Sequence, residues 1–115
     1  MQTVVPAVLR KWAASSEASD TLLSYIGALP GIVIEEKKTC VHITAGKAAF
    51  LGIHPRKSGL SLSIVLNRPL TGSRIRKCEQ LSAKRFHSEL NLDGGQVIDD
   101  ELAAWIEEAY RLKSA

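Results

Sequence analysis

Aromatic and sulfur-bearing residues are scarce in this chain of 115 residues: two Phe, two Trp, two Tyr, two Cys and one Met. Two cysteines, Cys40 and Cys78, are too few for the disulfide frameworks of small secreted domains. Both read as free thiols that act as small hydrophobes in strands. No apolar run approaches the roughly 20 residues of a membrane span, and no basic–apolar–small leader opens the chain, so a cytoplasmic location is expected. Internal repeats and low-complexity segments are absent. With 45% hydrophobic and 23% charged residues, the composition excludes disorder. The length suits one domain with its own core, taken as residues 1–115.

The usual catalytic signatures are missing as well. There is no Gly-x-Ser-x-Gly elbow, phosphate-binding Walker loop, dinucleotide fingerprint or His-Glu-x-x-His pair. No catalytic residue, cofactor or metal is assigned on sequence. Glu35-Glu36-Lys37-Lys38 contains Glu-x-Lys with Asp20 upstream, the residue types a metal-dependent nuclease uses to hold a divalent ion and activate water. No second acid completes that set, and the run reads more simply as a charged strand end that discourages edge pairing. Cys40 and His42 share a strand face and could meet Cys78 or His87, but the short spacings of zinc sites are absent.

The periodicity predicts an α+β fold with N-terminal helices, a central curved antiparallel sheet of five to six strands, and a C-terminal helix packed on the sheet. Val4, Val5, Val8, Leu9 and Trp12 suit an amphipathic helix within Met1–Ser16, a helical extension at 1–15. A second helix is expected from Ser16–Asp20 to Leu29, stopped by Pro30-Gly31. From Ile32 to Leu92 the period is two. Val41 and Ile43 oppose Cys40, His42 and Thr44. Ala49, Leu51 and Ile53 alternate with Ala48, Phe50, Gly52 and His54, and Pro55 to Gly59 reads as a turn. Leu60, Leu62, Ile64 and Leu66 alternate with Ser61 and Ser63, which predicts one buried and one wet face. Ile75 to Leu81 and Phe86 to Leu92 are the last strands. Asp99 is an N-cap, and Leu102, Trp105, Ile106, Ala109 and Tyr110 form one apolar stripe.

Acids are nearly absent from the middle of the chain. The formal charge is only +3, yet between Lys37 and Ser88 eleven basic residues stand against the single acid Glu79, a local charge of +10. The segment before it carries −2 and the segment after it −5. A basic sheet of this kind suits a non-catalytic module for an anion or nucleic acid. Its candidate residues are Lys37, Lys38, Lys47, Arg56, Lys57, Arg74, Arg76, Lys84 and Arg85. Against this stands mutual neutralisation by the acidic helices. Phe50 and Phe86, the only sheet aromatics, suit a core face, so no base-stacking platform is visible. A small-molecule pocket between sheet and helix, with His42, His54 and His87 converging, is the alternative. An oligomer-forming module, joined as a homodimer through a sheet face or edge, is a further one.

Arg74-Ile-Arg-Lys-Cys-Glu-Gln-Leu-Ser82, Phe86-His87, and then Ile98-Asp-Asp-Glu-Leu102, Trp105 and Glu108-Ala-Tyr110 resemble an uncharacterised bacterial family, domain of unknown function 5655. Glu36-Lys-Lys38, Lys47 to Phe50 and Leu60 to Leu66 are similar too, so the resemblance covers residues 17 to 112. Where that family carries an aromatic after the Lys-Lys pair, this chain has Cys40. The resemblance implies a small α+β domain and no established activity, cofactor or catalytic residue.

Overall fold

The computed structural model describes residues 5–46 and 48–114. A 3₁₀ turn, Ala7–Arg10, leads into helix α1, Ala13–Ile26. Six strands follow: β1 Ile32–Glu36, β2 Val41–Ala45, β3 Ala48–Arg56, β4 Gly59–Leu66, β5 Lys77–Ser82 and β6 Arg85–Asp93. Helix α2, Asp100–Ser114, closes the chain. The strands form one antiparallel sheet in the order β1-β2-β3-β4-β6-β5. This is the α+β arrangement that the periodicity predicts.

The N-terminal expectation needs correction. Among the described residues the only helical piece before α1, over residues 5–12, is the 3₁₀ turn; Val4 lies outside them. α1 starts at Ala13 rather than between Ser16 and Asp20, because the serines are absorbed into the helix instead of breaking it. The Trp12 backbone N–H donates to Ser15 Oγ at 3.1 Å. Ser15 Oγ in turn donates to the Leu9 carbonyl at 2.7 Å, and Ser19 Oγ to the Ser15 carbonyl at 2.7 Å. A serine whose hydroxyl is satisfied by the preceding turn is tolerated inside a helix. Leu9 is fully buried in the core, so the segment expected as an extension is built into the fold.

Both helices lie on one face of the sheet. Leu22, Leu23 and Ile26 of α1 and Leu102, Trp105 and Ile106 of α2 meet Val41, Ile43, Ile53, Leu60, Leu62, Ile64, Leu90 and Leu92 from the strands. Tyr25 of α1 donates its hydroxyl to Glu107 Oε2 of α2 at 2.7 Å. Burial and this carboxylate push the Tyr25 pKa up to about 12. Asp99 caps α2 as expected, accepting from the Leu102 N–H at 2.8 Å.

Two departures from strict alternation set up the opposite face. The β2–β3 register slips between Ile43 and Thr44. This bulge turns both Phe50 and Leu51 inward, where the Phe50 ring meets Tyr110 edge-on at 5.8 Å. The second departure is the length of β3, which runs through Pro55 to Arg56 where a turn is expected. A two-residue turn, Lys57-Ser58, closes on the pair Arg56↔Gly59. Pro55↔Leu60 is then a non-hydrogen-bonded pair, and the proline nitrogen points past the end of β2, whose last partner is Ile53. The missing N–H therefore breaks no ladder bond.

Candidate functional site on the helix-free face of the sheet

The face away from the helices is read directly from the register. One row across the sheet is Glu35, His42, Gly52, Ser63, Glu89 and Lys77; a second is His54, Ser61 and Asn91; a third is Val65, His87 and Glu79. Alternation puts Arg56 on this side too, two residues beyond His54 on β3. The serine face expected from β4 is thus the floor of a polar surface. The small residues Gly52, Ser61 and Ser63 keep it low.

Two clefts lie side by side there. One, of about 400 Å³, is lined by Arg56, Ser61, Arg76, Lys77, Glu89 and Asn91. The other, of about 230 Å³, has His42, Gly52, His54, Ser63, Arg85 and His87 on its walls and floor, with Val65 and Leu51 behind them. Cross-strand partners tie the two together, since His54 opposes Ser61 and Ser63 opposes Glu89. Strands are spaced about 4.8 Å apart, so Gly52 to Lys77, three strand steps, spans about 14 Å.

Two polar atoms on this surface are buried without a hydrogen-bond partner, Arg56 Nη1 and His87 Nε2. Burial holds the His87 imidazole below its ordinary pKa, and the nearby Arg85 adds to the effect. His87 is therefore neutral at pH 7. Cys40 Sγ lies 3.8 Å from His42 Nε2 at the rim.

The structure sorts the sequence candidates by partner. Arg74 leaves the set: it bridges Asp99 at 2.8 Å and Glu101 at 3.2 Å at the start of α2, and its guanidinium lies over Trp105. Arg68 likewise makes a bidentate pair with Glu108 of α2. Lys37 pairs with Glu35 at 3.2 Å, and Lys77, which the sequence reading omits, pairs with Glu79 at 3.6 Å. Arg56, Arg76 and Arg85 form no ion pair among the described residues and gather on the helix-free face. Lys38 lies apart, beside Lys11, Thr39 and Pro55 in a third cleft. Lys57 and Lys84 sit in the β3–β4 and β5–β6 turns. Lys47 lies outside the described residues.

The expected histidine pocket is corrected. The three histidines do share a cleft, but it lies on the far side of the sheet, not between sheet and helix. That interface is filled by the fully buried Leu22, Ile26, Leu102 and Ile106. The Glu-x-Lys run does not assemble: Asp20 is held by Arg10 at 3.0 Å, and Glu36 accepts from the Val8 N–H. Cys78 is exposed rather than buried, and both thiols are free. Among the described residues no three His, Cys, Asp or Glu side chains converge as a metal site. None of the described helices is long and apolar enough to cross a membrane.

Gly52, Ser61, Ser63, Glu89 and Asn91 carry no motif that marks them as site residues in the sequence. Their signal was present in the alternation of β4 and β6, but only the strand order makes them neighbours. No curated protein and no solved structure matches this chain. The model of one family spans nearly all of it, residues 7–113, and the chain belongs to that family, the domain of unknown function DUF5655.

Proposed function

We propose that the helix-free face binds a small anionic ligand. Its phosphate or carboxylate group sits at Arg56 and Arg76, and its body extends across Gly52 toward the histidine cleft. The observation that carries this reading is Arg56 Nη1, a charged donor buried in a polar cleft with no partner. Leaving such a donor unmet costs upward of about 1–3 kcal/mol, which an arriving anion recovers when the Arg56 side chain turns this nitrogen toward it. Acidic residues neutralise Arg68 and Arg74 on the helix side, so the guanidinium groups of the basic segment that have no ion pair among the described residues, Arg56, Arg76 and Arg85, concentrate on one surface. A small ligand is favoured over a single-stranded nucleic acid because, among the described residues, no Phe, Tyr or Trp stands on this face and the three imidazoles there share one short cleft rather than a platform for successive bases; Phe50 points into the core.

The test is calorimetric titration with pyrophosphate, nucleoside mono- and diphosphates and a short oligonucleotide at low salt, with Arg56→Ala and Arg76→Ala alongside. Binding of a small anion that weakens about tenfold or more in each variant supports the reading. Binding of none of these anions by the wild-type chain, or binding indifferent to both substitutions, refutes it. Binding of the oligonucleotide alone, falling steeply with salt, replaces the small ligand with a nucleic acid.

A further inference from the structure

The two edges of the sheet are protected differently. At one edge β1 has Ile32 and Ile34 packed against the core, and Glu36 tied to the N-terminal turn. At the other, all six residues of β5 are exposed, and its only substantial packing is against β6. Neither helix covers it. A strand open on both faces and along one edge presents a row of free backbone groups, a template for another strand.

We propose that this edge pairs with β5 of a second copy, antiparallel about a twofold axis through Cys78, joining two sheets into one. The axis position follows from charge. For the helices of both copies to stay on the same side of a continuous sheet, opposed residues must share a face, so the axis passes through a residue. An axis through Lys77 sets two ammonium groups face to face, and one through Glu79 sets two carboxylates face to face. An axis through Gln80 leaves Lys77 opposite a turn residue. The axis through Cys78 alone puts each Lys77 against Glu79 of the second copy, two complementary pairs. Lys77 and Glu79 already lie on one face of the strand within 3.6 Å of each other, so the exchange needs no change of backbone. Opposite charges directly across an antiparallel pair are the stabilising arrangement. One strand pair buries little area, which places the dimer in the transient class.

The same register supplies its own reporter. Residues opposed in an antiparallel pair have Cα atoms about 4.5–5.5 Å apart, inside the range a disulfide accepts. The two exposed Cys78 thiols therefore face each other across the axis.

The experiment measures mass by light scattering at sub-millimolar concentration, with diamide cross-linking in parallel. In the cross-link two Cys78 thiols lose two protons and two electrons to the diamide azo bond, which becomes the hydrazine, and an S–S bond forms. The expected mass is twice the 12.5 kDa of the chain, falling to one chain in Lys77→Glu and returning to two in Lys77→Glu/Glu79→Lys. A covalent dimer is expected in wild type and Cys40→Ser and is lost in Cys78→Ser. Circular dichroism confirms that each variant is folded, as substitutions of exposed residues should be. A wild-type mass of one chain with no cross-link overturns the proposal. So does a dimer that survives Lys77→Glu, or one that cross-links through Cys40. None of these outcomes depends on whether the helix-free face binds an anion.

Discussion

Replacing Gly52 with alanine is expected to stabilise the protein while weakening its ligand, two effects of opposite sign from one methyl group. Gly52 sits mid-strand in β3, in the row between His42 and Ser63. Its φ is not positive, so an L-residue meets no backbone penalty. A Cβ built there would lie 3.6 Å from Ser63 Cβ and 4.0 Å from His42 Cδ2, ordinary van der Waals contact. Alanine at a compatible glycine position stabilises by about 0.4–1 kcal/mol, chiefly by narrowing the unfolded ensemble. For a chain of this size that raises Tm by roughly 2–4 °C. The same methyl rises from the floor of the histidine cleft. Overpacking by one such group costs about 1–3 kcal/mol, or about fivefold to a hundredfold in affinity for a ligand whose body crosses Gly52. Pyrophosphate, which has no body to clash, should bind the variant as it binds wild type. Urea unfolding reads the first effect and calorimetry with a nucleoside diphosphate against pyrophosphate reads the second. A fall in stability would show that the floor is tighter than the geometry implies. An undiminished nucleoside diphosphate affinity would remove the histidine cleft from the site.

Asp99→Ala removes the α2 N-cap and one anchor of Arg74, and should lower the unfolding free energy by about 1–2 kcal/mol at neutral pH in urea titration. The Leu102 N–H, with help from Arg74, holds the Asp99 carboxyl below its ordinary pKa. Its contribution is therefore complete above about pH 4 and is lost as pH falls through the lower folded value, where wild type and variant should converge. His87 is a base depressed by burial and Arg85, with Glu79 opposing and Lys113 adding to the shift. The stability linked to it is complete above about pH 6.5 and declines as pH falls toward the folded value. Thermal melts across that window should show a slope that His87→Gln flattens. Gly59→Ala should destabilise by about 3 kcal/mol, because its Cβ would lie 2.2 Å from the Leu92 carbonyl oxygen and 2.6 Å from Asp93 Cα. Both are backbone atoms with no freedom to yield, and chemical unfolding would detect the loss.

The elements that were legible from the residues are those where one face decides everything. The serine alternation of β4 and the apolar stripe of α2 each state which side is buried, and the structure agrees at Leu60, Leu62, Leu102 and Ile106. The misreadings share a different cause. Phe50 and Leu51, expected on opposite faces by alternation, both turn inward because β3 carries one residue more than β2 at the register slip, and Arg56 belongs to a strand because the proline before it points past the end of β2. Both facts concern the partner strand, which local spacing does not contain. Ser15 and Ser19 depart from the expected helix break for a related reason, since a hydroxyl breaks or joins a helix according to what it can reach.

Charge shows the same division. The basic middle segment was visible as a sum, but a sum does not say which cations have partners. The acids that follow it are drawn to its cations wherever α2 and the strands share a side, so Arg68 and Arg74 are neutralised against Glu108, Asp99 and Glu101. None of the described helices reaches the other face, and the register places the acids Glu35, Glu79, Glu89 and Asp93 there, of which the first two are engaged by Lys37 and Lys77. Topology thereby converts a diffuse excess of positive charge into three unpaired guanidinium groups, Arg56, Arg76 and Arg85. They stand around a floor of glycine and serine too small to fill the space between them. Surface cations kept only for solubility would be fully hydrated, whereas Arg56 has a nitrogen withdrawn from solvent inside a cleft. Desolvating a charge without a partner is unfavourable for the folded chain alone. It becomes favourable once an anion arrives, which is why Arg56, rather than the more exposed lysines of the turns, is the residue on which the binding reading turns.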